Sequence, residues 1–204
     1  MTTHSPSIPH PAEAMILARV PQDVRERAQA LRLMIFDVDG VMTDGRLFYG
    51  AQGELIKQFH SFDGLGIRML QESGIIVAFM TGRNSAQVAL RAADLGVSEV
   101  LQGVRDKAAA LALLAQKHQL EPGEIGFMGD DLIDLPAMQL VGLAVSVPSA
   151  PAYVAQAAHW VSTQQAGHGA VREVCDVILA AQGRLGTFVS TRSLTTLRAD
   201  LSPQ

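Results

Sequence analysis

Two aspartates one residue apart, Asp37 and Asp39, follow the apolar run Leu33-Met-Ile-Phe36. Adjacent carboxylates at a strand end repel one another unless a proton or a cation holds them. A second apolar run, 75–80, leads into Thr81-Gly82-Arg83, where a hydroxyl and free backbone N–H groups would meet an anion at the start of the next helix. Lys107 opens another helical stretch; taken alone, a lysine there reads as a solvated helix-start residue. The run Phe127-Met-Gly129-Asp130-Asp131-Leu-Ile-Asp134 then places three more carboxylates directly after apolar residues. Hard oxygen donors of this kind suit Mg²⁺, which takes a few protein oxygens and keeps several waters. A calcium loop beginning at Asp37 is excluded by Met42 at its sixth position, where glycine is needed, and Phe48 at its twelfth, where glutamate is needed.

These residues need a scaffold that brings distant loops to one edge. Short apolar runs at 33–36, 75–80, 97–101, 125–128, 143–147 and 159–161 alternate with helical stretches at 65–72, 85–95, 107–119, 133–141, 150–156 and 170–181. That alternation predicts an α/β fold, a Rossmann-like three-layer sandwich around a mostly parallel sheet, with ligands in the crevice beyond the carboxyl ends of the strands. Residues 45–60 break the rhythm: Arg46-Leu-Phe-Tyr49, a turn at Gly50-Ala-Gln-Gly53 and Glu54-Leu-Ile-Lys-Gln-Phe59 read as a projecting β-hairpin. Leu47, Phe48 and Tyr49 are consecutive, so large side chains fall on both faces of a ribbon that is unstable alone; a subunit interface is the expected use. We expect a flexible arm over 1–12, one domain over 13–183 opening with a helical segment 13–31, and a mobile polar tail over 184–204.

The bulk composition narrows the partners. The 204 residues, 48% hydrophobic, suffice for one substantial core. Sixteen Lys and Arg against twenty Asp and Glu give a formal charge of -4, so no global positive field draws nucleic acid or anionic lipid, and an anionic substrate must be met by local basic residues. Cys175 is the only cysteine, which excludes an internal disulfide and suits a reducing compartment, with the cytoplasm as default. No targeting segment or membrane span is expected.

The order Asp37-x-Asp39, Thr81-Gly82, Lys107 and Gly129-Asp-Asp-x-x-Asp134 resembles the four motifs of the haloacid dehalogenase superfamily. Receiver domains also gather Asp, Thr and Lys on such a sheet, but their acidic pair precedes a phosphorylated Asp on a later strand, an order this chain lacks. The resemblance implies that Asp37 is a nucleophile forming an aspartyl-phosphate and that Asp39 acts as general acid, then base. It also implies that Mg²⁺ is held by Asp37, the backbone carbonyl of Asp39, and Asp130. Thr81, Gly82 and Lys107 would bind phosphoryl oxygens, and Asp131 and Asp134 would orient Lys107 or waters around the cation. Asp39 favours phosphate esters over halides, since a halide leaves without a proton. The 42 positions from Asp39 to Thr81 and the 26 from Thr81 to Lys107 are filled by hairpin, helices and strands. No cap domain fits, so an open site and hydrolysis are expected.

The span from about Leu33 to Gly183 resembles the capless 3-deoxy-D-manno-octulosonate 8-phosphate phosphatases. The likeness rests on Asp37-Val-Asp-Gly-Val-Met-Thr-Asp-Gly45, Ile56-Lys-Gln-Phe59, Asp63-Gly-Leu-Gly-Ile-Arg68, Thr81-Gly-Arg83, Gly129-Asp-Asp-Leu-Ile-Asp134 and Gly167-His-Gly-Ala-Val-Arg-Glu-Val-Cys-Asp176. It implies a homotetramer gathered by the hairpins and an acidic sugar phosphate as substrate. Its contacts would come from Asp39, His60, Ser61, Phe62, Asp63, Gly64, Arg68, Arg83, Arg91 and Lys107, some across a subunit boundary. Arginine suits the planar capture of a sugar-acid carboxylate. Many relatives carry Arg where this chain has Phe62 and His168, which removes two fixed positive charges near the expected mouth. The alternatives are a phosphatase for another acidic sugar, such as a nine-carbon ulosonate 9-phosphate, and a non-catalytic oligomeric scaffold.

Overall fold

Residues 10–190 are described by a computed structural model of the chain. Its strands are β1 (Leu33–Phe36), β2 (Phe48–Gly50), β3 (Gly53–Ile56), β4 (Ile76–Met80), β5 (Glu99–Leu101), β6 (Ile125–Met128), β7 (Leu143–Ser146) and β8 (Trp160–Val161). Its helices are α1 (Pro11–Leu17), α2 (Gln22–Ala30), α3 (Ser61–Glu72), α4 (Ala86–Leu95), α5 (Lys107–His118), α6 (Leu135–Met138), α7 (Ala152–Ala157), α8 (Ala170–Ala181) and α9 (Leu185–Val189).

Six strands form one parallel sheet in the order β5-β4-β1-β6-β7-β8, and β2 and β3 pair as a separate antiparallel ribbon. The period-two alternation of β1 splits its side chains between two cores. Met34 and Phe36 join the face covered by α2, α3, α4 and α8, while Leu33 and Ile35 join the face covered by α5, α6 and α7. Both faces are therefore buried, as a parallel sheet requires. Each large side chain so buried contributes about 1.5–3 kcal/mol, which makes the sheet a rigid mount for its loops.

Starting in the middle of the sheet, the chain builds outward through β4 and β5, then returns along α5 on the opposite face to place β6 on the other side of β1. The loops after β1, β4 and β6 consequently meet at the point where the strand order reverses. Ser85 caps α4 by accepting from Val88 N, Asp106 caps α5 by accepting from Ala109 N, and the left-handed Gly96 ends α4.

Four boundaries differ from those expected from the sequence. The helical segment 13–31 is two helices, because the residue before Pro21 is driven out of helical geometry and Pro21 starts α2 anew. His10 and Pro11, expected in the arm, start α1, where the His10 side chain and Glu13 form a reciprocal cap; positions 1–9 of the expected arm lie outside the described residues. The expected mobile tail over 184–204 is helical at Leu185–Val189. Leu185 is buried, and Gly186 N donates at 2.8 Å to the buried Glu13 carboxylate, which also accepts from His10 N at 3.0 Å. A carboxylate satisfied from both chain ends seats α9 on α1; residues 191–204 lie outside the described residues. The ribbon is also shorter than expected, with a register shift between Phe48 and Tyr49.

Candidate active site

Strand register sets the geometry of the lip. Phe36 pairs with Phe79 on one side and Met128 on the other, so the residues that follow, at 37, 80 and 129, lie at nearly one level. Asp37 N donates to the Met128 carbonyl at 2.9 Å, which fixes the Asp37 Cα beside the β6 loop. The chain then turns through Val38–Met42, with Gly40 at φ 93°. That turn tolerates no side chain at Gly40: a Cβ would sit 2.1 Å from Asp130 Oδ2. Gly129 is equally confined, its Cβ position lying 2.5 Å from the Asp134 Cβ.

Within this frame the ligand oxygens of Asp37, Asp130 and Asp134 lie within 4.8 Å of one another. Lys107, 1% exposed although charged, reaches in from the first turn of α5, 2.5 Å from Asp37 Oδ1 and also bonded to Asp134 Oδ1. The second oxygen of Asp134 accepts from Asp130 N at 3.0 Å and Asp131 N at 3.1 Å. Asp134 is thereby committed to orienting Lys107 and the Asp130 loop. Asp131 is exposed and its carboxylate caps the following turn, accepting from Leu132 N at 2.7 Å.

Three carboxylates against one ammonium leave two formal negative charges, the charge of one divalent cation. Burial first, then Asp134 and Asp130, push the Asp37 carboxyl up to about 8 against the opposing pull of Lys107. Burial, Asp134 and Asp131 likewise push Asp130 up to about 7. Burial alone would lower the Lys107 ammonium, but Asp37 and Asp134 outweigh it and hold it above the ordinary lysine range. The oxygen donor set and its surplus charge fit Mg²⁺, with Asp37 and Asp130 as the carboxylates to hold it.

Thr81 is buried beside this cluster, its N–H on the Leu101 carbonyl at 2.9 Å and its hydroxyl accepting from Arg83 N at 3.3 Å. Gly82 N–H has no partner among the described residues, leaving a donor at the start of the β4 loop. Asp39 engages the hairpin and the β4 loop. Its Oδ1 pairs with Lys57, and its Oδ2 lies 4.0 Å from Arg83 Nε. Arg83 is also held by the Tyr49 hydroxyl and stacks over that ring at 5.6 Å. Lys57 has no role in the sequence reading. A lone lysine on a ribbon reads as solvated, and the only signal was its place in the Ile56-Lys-Gln-Phe59 stretch.

The remaining rim residues scatter. His60 caps α3 by accepting from Phe62 N and faces Phe62 and His168 edge-on at 5.1 and 6.4 Å. Ser61 and Phe62 are exposed, Phe62 by 61%. Asp63 is buried and accepts from Arg172 N at 2.9 Å, so it ties α3 to α8 instead of lining an open rim. Gly64 makes room for Arg91, whose Nη2 would lie 2.3 Å from a Cβ there; Arg91 packs over Phe59 and pairs with Asp94 at 2.6 Å. Arg68 donates at 2.6 Å to the Asp94 carbonyl near the end of α4. Arg83 is the one rim arginine that contacts a residue of the Asp37–Asp39 loop among the described residues.

Comparison with known proteins extends this picture. A family model for haloacid dehalogenase-like hydrolases matches residues 94–174. The 3-deoxy-D-manno-octulosonate 8-phosphate phosphatase of Yersinia pestis is 47% identical over 166 residues, covering 81% of this chain and 89% of that protein. Among solved structures, the corresponding phosphatase of Moraxella catarrhalis, in complex with a magnesium ion, a phosphate ion and KDO, superposes with a TM-score of 0.81 at 40% identity, covering 83% of this chain and 98% of that one. The cobalt-bound form of the Haemophilus influenzae phosphatase gives 0.80 at 40% identity, over 83% of this chain and 99% of that one.

Proposed function

The chain belongs to the 3-deoxy-D-manno-octulosonate 8-phosphate phosphatases of the haloacid dehalogenase superfamily, and from that premise we propose that it hydrolyses this sugar phosphate to the free sugar acid and inorganic phosphate. The observation that carries the reading is the buried cluster in which Lys107 joins Asp37 to Asp134 beside Asp130. Phosphoryl transfer asks mainly for charge neutralisation and alignment, and this cluster supplies both.

Asp37, fixed through its backbone to β6, attacks phosphorus to form an aspartyl-phosphate. Asp39 gives a proton to the departing sugar oxygen and later takes one from the attacking water. Lys107, Thr81 and Gly82 N–H hold the phosphoryl oxygens. Asp134 keeps Lys107 in place. The Asp37 and Asp130 carboxylates and the Asp39 carbonyl would hold Mg²⁺, which would supply charge neutralisation between nucleophile and phosphate. Arg83 stands at the mouth for the sugar carboxylate, and His60, Ser61, Phe62, Gly64, Arg68 and Arg91 shape the surrounding rim, some of them across a subunit boundary, while Asp63 holds α3 against α8 behind it.

The same reading assigns the protein to lipopolysaccharide precursor synthesis in the cytoplasm, as a homotetramer. Among the described residues no helix is long and apolar enough to cross a membrane. For assembly, the support is the ribbon itself: Leu47, Phe48, Tyr49, Leu55 and Ile56 are all 40–60% exposed. A phosphate-release assay with Mg²⁺ over a panel of the eight-carbon ulosonate 8-phosphate, a nine-carbon ulosonate 9-phosphate and neutral hexose phosphates tests the substrate. The eight-carbon acid should give the highest kcat/KM. A neutral hexose phosphate in first place would overturn the acidic-substrate claim, and no release from any ester would favour a scaffold.

A further inference from the structure

We infer that Lys57, carried by the hairpin, is a positioning residue for Asp39. This rests on the acid-base role proposed for Asp39 and adds a part of the machinery that lies outside the sheet.

A lysine on an exposed two-stranded ribbon ordinarily extends its ammonium into water. Lys57 does the reverse: its side chain is 1% exposed and its ammonium meets Asp39 Oδ1. The next residues in line are also fixed. Glu54 Oε1 lies 3.0 Å from Lys57 Nζ as an ion pair without an aligned hydrogen bond, and Glu54 Oε2 accepts from Ser85 Oγ at 2.5 Å. Ser85 is the residue that caps α4, and Gln87 in the first turn of α4 donates to the Leu55 carbonyl at 3.0 Å. A continuous path thus runs from the α4 cap through Glu54 and Lys57 to the Asp39 carboxylate. Burial alone would lower the Lys57 ammonium, but Asp39 and Glu54 outweigh it and hold it charged.

Asp39 needs such a support. It sits at φ -81°, ψ 110° next to a glycine in the left-handed region, on a turn instead of a strand, and among the described residues its carboxylate meets only Lys57 and, at 4.0 Å, Arg83. A general acid helps only when it is held within hydrogen-bond reach of the leaving oxygen. The hairpin provides that hold, so the ribbon serves the chemistry as well as any interface.

The test uses leaving groups that differ in their need for a proton. Departure of a sugar alkoxide requires one; departure of p-nitrophenolate does not. In the full-length protein with Mg²⁺, Lys57→Met should lower kcat/KM for the sugar phosphate about 10- to 100-fold, and that for p-nitrophenyl phosphate by no more than about threefold. Equal losses on both substrates, or no loss on either, would overturn the inference. Asp39→Asn, assayed in parallel, should show the same selectivity with a larger loss. If Asp39→Asn is selective and Lys57→Met is not, only the positioning role fails; if Asp39→Asn is itself unselective, the acid role fails and the positioning role with it. Should Lys57→Met not fold, Glu54→Gln loosens the same lysine and is expected to show the same selectivity at smaller size, with an equal loss on both substrates again the contrary result.

Discussion

Asp37 and Lys107 are ionisable and buried, whereas Leu55 and Ile56 are apolar and exposed. The lip of the sheet and the face of the hairpin are mirror departures from ordinary burial, and each implies a missing complement. At the lip the deficit is positive charge, since one ammonium serves three carboxylates. On the hairpin the deficit is apolar surface. On the proposed reading a small cation would meet the first and another protein face the second, so loss of one should leave the other largely intact.

The sharpest way to break that contrast is at the lip. Asp37→Asn should reduce sugar-phosphate turnover on the order of 10⁴-fold or more while the fold persists, because the amide keeps the shape and loses the nucleophile. Substantial remaining activity would remove Asp37 from its role. Lys107→Met should lower kcat about 10²- to 10³-fold, as expected when one oxyanion donor is lost. It should also lower the melting midpoint, because stripping one member from a buried ion pair typically costs about 3–5 kcal/mol. Calorimetry with steady-state kinetics reads both, and an unchanged melting point would show that the ammonium is not compensating the buried acids.

At the hairpin, Phe48→Glu puts a charge into the exposed apolar face and should reduce the mass seen by light scattering without lowering the affinity for Mg²⁺. An unchanged mass would count against the interface. The smallest effect concerns pH. The folded-state carboxyls of Asp37 and Asp130, near 8 and 7, lie above their unfolded value of 3.8. Their bound protons stabilise the cation-free protein fully below about pH 4, and that contribution fades as pH rises through 7 and 8. The cation-free melting midpoint should therefore fall between pH 5 and 8.5, in steps of roughly a few degrees. The gain on adding Mg²⁺ should grow over the same range, reaching roughly 5–10 °C at hundredfold saturation. A Mg²⁺ gain independent of pH would contradict the charge balance at the lip.

The two regions were also unequally legible. The sheet announced itself because apolar runs ended in acids or glycine, and α8 falls on 170–181 as expected because its apolar stripe is strong. Asp37, Lys107, Asp130 and Asp134 were found by their order after those runs, since a motif tied to strand ends needs no long-range information. Lys57 was not found, because its burial depends on the hairpin folding back on Asp39, which no local pattern encodes. Asp63, expected among the substrate contacts, is buried against α8, which takes its carboxylate as a cap at Arg172 N. Glu13 and the segment 184–190 were missed together, for the bond that joins them spans 173 residues of chain. What sequence conceals here is pairing between polar groups far apart in the chain.

The most direct test of the central claim is a crystal structure of the protein grown with Mg²⁺ and tetrafluoroaluminate, a mimic of the phosphoryl group in flight. The mimic should sit against an Asp37 carboxylate oxygen, with Lys107 and Thr81 on its equatorial fluorides and the cation touching both Asp37 and Asp130. A mimic bound away from Asp37, or a cation that bypasses Asp130, would contradict the account.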